Sequence, residues 1–325
     1  MATAENAKLQ YEAGQNAVAM SALTDSGDHT LFTSAATLWS GKAGNAPVIR
    51  PNGLLTGGAL TTNATNNLVT VAALTCNLAG VVTSVAGASS PAITRPATNV
   101  SKVNSITVNS SGALAVVAGT DGATTAFTET RGAAGGPPLI PVGSIEIGQV
   151  RVTTSAAGLI AASEIFQVVG THVERADFPL WDTNNATGSI TFLGALPLIH
   201  TGSVPKAVYA SYSTPIFADV ALASDFVPPE TSHSISSTQV YGTTLGATSS
   251  TLGQGSFTAY LSNGVSDPLV ALKNATLWFK FFPDRYATPY ILCQGKLGIS
   301  RTFPAADSLQ AACTISASTA ATEVA

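Results

Sequence analysis

Between Tyr290 and Phe303 the chain alternates side-chain character over 14 residues with few exceptions. The odd positions are Ile291, Cys293, Gly295, Leu297, Ile299, Arg301 and Phe303. The even positions are Tyr290, Leu292, Gln294, Lys296, Gly298, Ser300 and Thr302. A repeat of two places one set on each face of a half-buried strand. At roughly 3.3 Å per residue the run spans about 46 Å, whereas most strands have about five or six residues. A strand that long overshoots the core of one domain, and its projecting backbone must be paired or stand as an open edge. Pairing with neighbouring copies around a ring would close the sheet into a barrel without edges. The alternative is a bend at Gly295 or Gly298 that keeps the strand within its domain.

Two further runs flank this one. In Leu277 to Phe281 the odd positions Leu277, Phe279 and Phe281 are apolar, and in Leu309 to Ala317 the odd positions are Leu309, Ala311, Cys313, Ile315 and Ala317. Three such runs in succession predict an antiparallel meander. Just before them, Ser266 to Ala275 reads SDPLVALKNA and predicts a helix of two turns at most. Ser266 or Asp267 can cap it, Pro268 suits its first position and Asn274 can end it. Upstream, Lys206 to Ser213, His233 to Gly242 and Gly255 to Ser262 also alternate. The Gly/Ser-rich stretch Thr243 to Ser256 predicts a mobile loop.

The first half differs in texture. Glu5 to Met20, with Leu9, Ala13 and Ala17 four apart, predicts a short helix, and Gly41 to Gly53 predicts loop or extended chain. Val69 to Ala88 holds no charge, but Thr70, Thr75, Asn77, Gly80, Thr83 and Ser84 break its apolar character. Two short strands fit it better than a membrane helix. Val103 to Asn109 and Ala113 to Gly119 predict a hairpin. Thr130 to Pro141 predicts a loop, because Pro137 and Pro138 cannot both serve a ladder. Ser144 to Thr154 alternates with a slip at Gly148 and Gln149 that predicts a bulge. The expected fold is therefore all-β: an antiparallel β-sandwich with one short helix over 171–325, a further small β-domain over 56–170, and an extended arm over 1–55.

Composition narrows the function. Charged residues are 10% of the chain, against roughly 25% in ordinary soluble domains. A chain so poor in charge stays soluble through Ser, Thr and Asn or buries its surface against copies of itself. Fourteen scattered basic residues and a net charge of −4 disfavour a phosphate-gripping surface. Cys76, Cys293 and Cys313 are odd in number and far apart, which excludes a disulfide framework or a Cys-based zinc site and fits buried thiols in a reducing cytosol. No basic and apolar leader is visible at the amino terminus.

No motif announces catalysis: no phosphate-cradling or dinucleotide glycine loop, no HExxH and no GxSxG. His172 with Glu174 and Asp177 is the nearest approach to a metal cluster, but its spacing fits a solvated hinge better. Asp177, Asp182, Asp219, Asp225, Asp267, Asp284 and Asp307 fall in turns and strand ends, where local hydrogen bonding is their usual role. The aromatic residues between Trp278 and Tyr290 would suit either a sandwich core or a carbohydrate platform. The expectation is a chain without catalytic, cofactor or metal residues.

The C-terminal segments resemble the major tail tube proteins of long-tailed bacteriophages. The resemblance is carried by SDPLVALKNA, LWFKFFPD, RYATPY, ILCQGKLGISRTF and PAADSLQAACTISAS, with YASYSTPIFADV and STQVYGTTLG upstream, and covers roughly residues 178–325. It implies a β-sandwich flanked by one helix, six copies in a ring joined through an inner barrel, and rings stacked into a hollow tube that conducts the genome at ejection. It implies a virion location in the phage tail, assembly in the host cytoplasm, partners in other copies and in other tail proteins at the tube ends, DNA that transits without specific binding, and no membrane. Six chains at −4 carry about −24, a balance unsuited to holding phosphates. Candidate inter-subunit positions on the long strand are Leu292, Gln294, Lys296, Gly298, Ser300 and Thr302. The rival expectation is a virion surface, baseplate or fibre protein that binds host glycans or decorates the capsid. A secreted carbohydrate-active enzyme is disfavoured.

Overall fold

A computed structural model describes residues 4–325. The chain is nearly all β, with antiparallel ladders and, among the described residues, a single α-helix of one turn, Pro268–Ala271. It divides into two compact units: Met1–Val18, Leu38–Pro47 and Tyr212–Ala325 form the first, Ala19–Thr37 and Val48–Ser211 the second.

The first unit is built on the long strand, Tyr290–Thr302. In spatial order its sheet runs Ala223–Val227, Gly255–Tyr260, Gln310–Ala317, Tyr290–Thr302, Thr276–Phe282 and Lys8–Ala22, with Val208–Asp219 next. The three C-terminal strands are consecutive neighbours, as the alternation required. Cross-strand pairs such as Phe279 with Cys293, Leu297 with Ile315 and Ile299 with Cys313 place the odd positions on one face. That face is the core, joined by Leu9, Tyr11, Phe257 and Ala259. Phe226, in the first strand of the order, stacks on Phe281, in the fifth, with ring centroids 4.5 Å apart. Neighbouring strands lie about 4.8 Å apart, so rings four strands distant meet only if the sheet curls over its apolar face. The helix caps this core: Asp267 accepts a 3.0 Å hydrogen bond from the Leu269 N–H, Pro268 opens it and Leu269 is buried. Asn274, at φ 67°, ends the segment and donates its N–H to Leu297 O.

The long strand is paired within the chain over most of its length, but among the described residues one edge of Gly298 to Thr302 has no backbone partner. One edge pairs with Thr276–Phe282 and then, at Leu297, with the backbone of Asn274 and Ala275. The other pairs with Thr322–Val324 over Tyr290 to Leu292 and with Gln310–Ala317 over Gly295 to Thr302. The expected helix over Glu5 to Met20 is corrected: Lys8–Ala22 is a strand. Leu9 and Tyr11 enter the core at period two, in register with Phe281 and Phe279. Ala13 is exposed, so the four-residue spacing that suggested a helix marks no buried stripe. Helix propensity is a weak preference that such a ladder overrides.

In the second unit the expected hairpin forms from Lys102–Val108 and Leu114–Ala118, with Ile145–Val152 on its other side. The bulge falls at Ile147, because Ile106 faces Gly148 while Thr107 faces Glu146. All eight residues of Ile145–Val152 are buried, so the strand is covered on both faces rather than one. Ile145, Ile147, Val150 and Val152 enter an apolar core with Val69, Val71, Cys76 and Ile106. Val69 to Ala88 holds three strands where two were expected, Val69–Val71, Leu74–Leu78 and Val81–Val85, before the short Ala88–Ser89. No helix of the described residues is long and apolar enough to cross a membrane.

The unit boundaries differ from the expected 1–55, 56–170 and 171–325. The arm is split because Lys8–Ala22 joins the C-terminal sheet. Residues 171–211 fall in the second unit, where the Leu54 N–H donates to Glu174 O and Ala176 N–H to Leu54 O. The predicted loop Thr243 to Ser256 is likewise corrected. Thr243–Leu252 pairs residue for residue with Thr231–Val240 across the tip Tyr241-Gly242, where Gly242 adopts φ 83°. Ser and Thr on both faces hide the alternation that would have marked a strand, while their β-branched share still favours one.

Gly53 shows how tightly the second unit is joined. It adopts φ 149°, and a Cβ there would lie 2.6 Å from the Ala176 backbone nitrogen. Gly53→Ala is expected to destabilise the second unit by about 1–3 kcal/mol, read as an earlier transition in urea unfolding of the full chain.

Candidate functional site

The six positions singled out on the long strand share a face but not an environment. Leu292 is buried opposite Lys280, and Gln294 lies opposite Trp278 with its amide against the Gly41 backbone. Those two are covered by their own chain. Lys296, Ser300 and Thr302 are exposed, Gly298 is half-buried, and their neighbours across the ladder are Ser316, Ala312, Gln310 and Thr314 respectively. This exposed strip is uncharged apart from Lys296.

The cover over Gln294 is held by a buried carboxylate. Glu12 accepts hydrogen bonds from Ser40 Oγ at 2.5 Å, Gln15 Nε2 at 3.0 Å and the Trp278 N–H at 3.2 Å. Trp278 Nε1 donates to Trp39 O at 2.8 Å, and Trp39 stacks on Tyr212 with centroids 5.0 Å apart. The Ser40 bond to Glu12 and the Trp278 bond to Trp39 O tie the segment around Trp39 to the sheet, which is a structural role.

The densest chemistry is a polar core in the second unit, on the far side of Ile145–Val152 from the apolar one. Glu146 pairs with Arg131 and accepts from Ser105 Oγ at 2.5 Å and Gln149 Nε2 at 3.1 Å. Arg151 holds Glu129 through two bonds of 2.6 and 2.8 Å and meets His172 Nε2 at 3.1 Å. Lys206 Nζ donates to Arg175 O at 2.5 Å and Phe178 O at 2.7 Å. Glu174 lies within the field of the Lys206 amine without a direct contact, and its Oε2 is 3.9 Å from His200 Nε2. Burial pushes the Glu174 and Glu146 carboxyls up and the Lys206 amine down, each opposed by its ionic partners. Burial also lowers His172 and His200. The cavity between Arg131, Glu146, Glu174 and Lys206 has about 20 Å³, room for about one water and far below a substrate site. Positive and negative groups alternate, and the cluster fastens four chain segments together, although Arg151 Nε, His172 Nδ1, Glu174 Oε1 and His200 Nδ1 have no hydrogen-bond partner among the described residues.

His172, Glu174 and Asp177 do not converge: the first turns to Arg151, the second to the Glu146 N–H at 3.4 Å, and the third to Arg175 at 2.9 Å. Among the described residues no three His, Cys, Asp or Glu side chains are placed to hold a metal ion. Asp284 and Asp307 act locally, accepting from the Tyr286 and Ser308 N–H groups, whereas Asp219 reaches the distant Gln10 at 2.7 Å and Lys8 at 3.2 Å. Trp278 and Phe279 are buried, and Lys280 lies over the Phe217 and Tyr290 rings at 4.3 and 4.8 Å. Most of the aromatic stretch is therefore packed, and Tyr286 is its exposed ring.

What remains is the hairpin Thr231–Leu252. Every residue of it whose exposure is described is exposed except the half-buried Leu252 at its base, and its strands pair only with each other. It contains no Asp, Glu, Lys, Arg or Pro, and its register has no bulge. Two edges of the largest sheet are blunted, while the short edge strands Val81–Val85 and Leu114–Ala118 also lack charge and bulge but are half as long as the hairpin's strands. Ala223–Val227 has an irregular register with Asp225 at φ 56°, and the four-residue strand Val48–Pro51 ends in proline. Charge, proline and bulges are the usual protection of an edge, and the hairpin has none of them. Sequence reading placed half of this element in a loop. The polar core was also missed, although Glu146, Gln149 and Arg151 in SIEIGQVRV signalled it. No protein-family model matches the chain, and no curated protein matches it significantly.

Lys206→Met removes the positive charge that most favours the ionised form of the buried Glu174, together with the Lys206 bonds to Arg175 O and Phe178 O. A carboxyl held above its ordinary value of 4.5 gives stability that is complete below that value and lost as pH rises through the folded one. The variant is expected to be less stable than the parent by about 3–5 kcal/mol at pH 8 and by clearly less at pH 5, read from urea unfolding at both.

Proposed function

We propose that this chain is a structural virion protein without catalysis, which assembles as stacked hexameric rings into the tail tube of a long-tailed bacteriophage. The observation that carries the reading is the unprotected hairpin. Each ten-residue strand turns about half of its N–H and C=O groups outward, along an edge that another strand can satisfy. A bond made there contributes about 0.5–1.5 kcal/mol, so a modest run of them sums to a stable contact. A two-stranded ribbon is marginal in water by itself, which favours a covered state in an assembly. The low charge of the chain agrees, since copies that pack closely must not repel one another.

The exposed strip at Lys296, Ser300 and Thr302 supplies the candidate wall for passing DNA. Hydroxyl groups offer weak, interchangeable contacts, and one lysine per copy gives little purchase on phosphates. Under this reading the duplex slides past without a site that holds it.

The purified full chain at about 1 mg/mL is expected to show six-fold rings or hollow filaments by negative-stain electron microscopy, at a concentration set for imaging well above a typical micromolar association. A variant with residues 235–248 replaced by Asn-Gly is expected to keep its thermal unfolding profile and to lose the filaments. Particles of one to three chains at every concentration of the parent would overturn the reading.

A further inference from the structure

The second unit carries an exposed apolar groove of about 570 Å³, lined by Phe178, Pro179, Leu180, Leu193, Ala195 and Pro197. Leu180 is 63% exposed and Leu193 70%, and the two are joined by the Leu193 N–H donating to Leu180 O. The lining holds no charged side chain and no side-chain hydrogen-bonding group. Single exposed apolar residues are ordinary, but a contiguous apolar concavity marks a contact. Its occupant must be apolar and uncharged, because a charge placed there would lose water without finding a partner.

One element of the chain presents that chemistry on a projection. The hairpin tip places Tyr241 fully in solvent, with Val240 and Leu245 exposed beside it and no charged residue along the ribbon. The other prominently exposed rings have ionic neighbours: Tyr286 follows Arg285, and Phe303 lies 5.9 Å from the Arg301 guanidinium. We propose that the hairpin tip of one copy inserts Tyr241 into the Phe178–Leu193 groove of a second copy. Tyrosine is a favoured anchor for such a contact: its ring fills the apolar floor and its hydroxyl stays at the wet rim. Because the two surfaces differ, the contact is head-to-tail and adds copies without using up its own sites. This rests on the self-assembly reading above and identifies which surfaces meet.

The test mixes two full-length variants, Tyr241→Cys in one chain and Leu193→Cys in the other, so that a disulfide between the two positions can form only between copies. The native thiols provide a quiet background. All three are buried, with burial pushing Cys76 up to about 11 and Cys293 and Cys313 up to about 12. Under mild oxidation the mixture is expected to give a dimer band at least fivefold stronger than Tyr241→Cys mixed with Val142→Cys, whose partner position is exposed but outside the groove. Leu193→Arg is expected to raise the critical concentration for assembly at least tenfold while leaving the thermal transition in place. Filaments of the parent with no such crosslink, and with Leu193→Arg assembling normally, would overturn this docking and leave the tube reading intact. Absence of any assembly by the parent would overturn both.

Discussion

The first unit hangs on one ladder. Tyr290–Thr302 supplies 13 residues of backbone with two edges to be hydrogen-bonded, and four separate segments pair with it, leaving one edge open beyond Leu297. Those segments are the preceding strand, the stretch that ends the helix, the following strand and the C-terminal Thr322–Val324. Unpaired buried backbone is too costly to leave, so the length of this one strand fixes where its neighbours lie. The N-terminal strand then pairs outside Thr276–Phe282 and brings Leu9 and Tyr11 onto the same apolar face.

The second unit solves a different problem. Ile145–Val152 is buried on both faces, one apolar and one ionic. Removing Glu146, Glu174 and Lys206 from water is expensive, and opposite charges with directed hydrogen bonds offset that cost only when all partners are present. Such a cluster adds little net stability compared with apolar packing, but it tolerates few alternative arrangements. Four segments distant in sequence are thereby held in one register: the loop at Arg131, the strand at Glu146, the turn at Glu174 and the loop at Lys206.

Edge protection separates the parts of the chain that are finished from the part that is not. Bulge, left-handed Asp225 and terminal Pro51 blunt two edges of the largest sheet. The regular, uncharged hairpin stands apart from this pattern. Where a chain guards some edges and leaves its longest ribbon bare, the bare ribbon is the natural place for a partner.

Period two along Leu277–Phe281 and Tyr290–Phe303 determined the meander and its buried face, and Asp267-Pro268 determined where the helix begins. The same was true of the hairpin around Asn109 and of the bulge, to within a residue. These features were legible because side-chain alternation, capping and turn chemistry act between residues close in sequence. Only the tertiary structure decided that Lys8–Ala22 is a strand, that the polar side of Ile145–Val152 is buried, that Gln294 lies beneath Gly41, and that Thr231–Leu252 stands uncovered. Alternation names two faces without naming what covers them, and covers come from segments tens to hundreds of residues away. Pairing between Leu9 and Phe281, or between Lys206 and the Arg175 carbonyl, depends on which distant surfaces meet, and no local pattern encodes that choice.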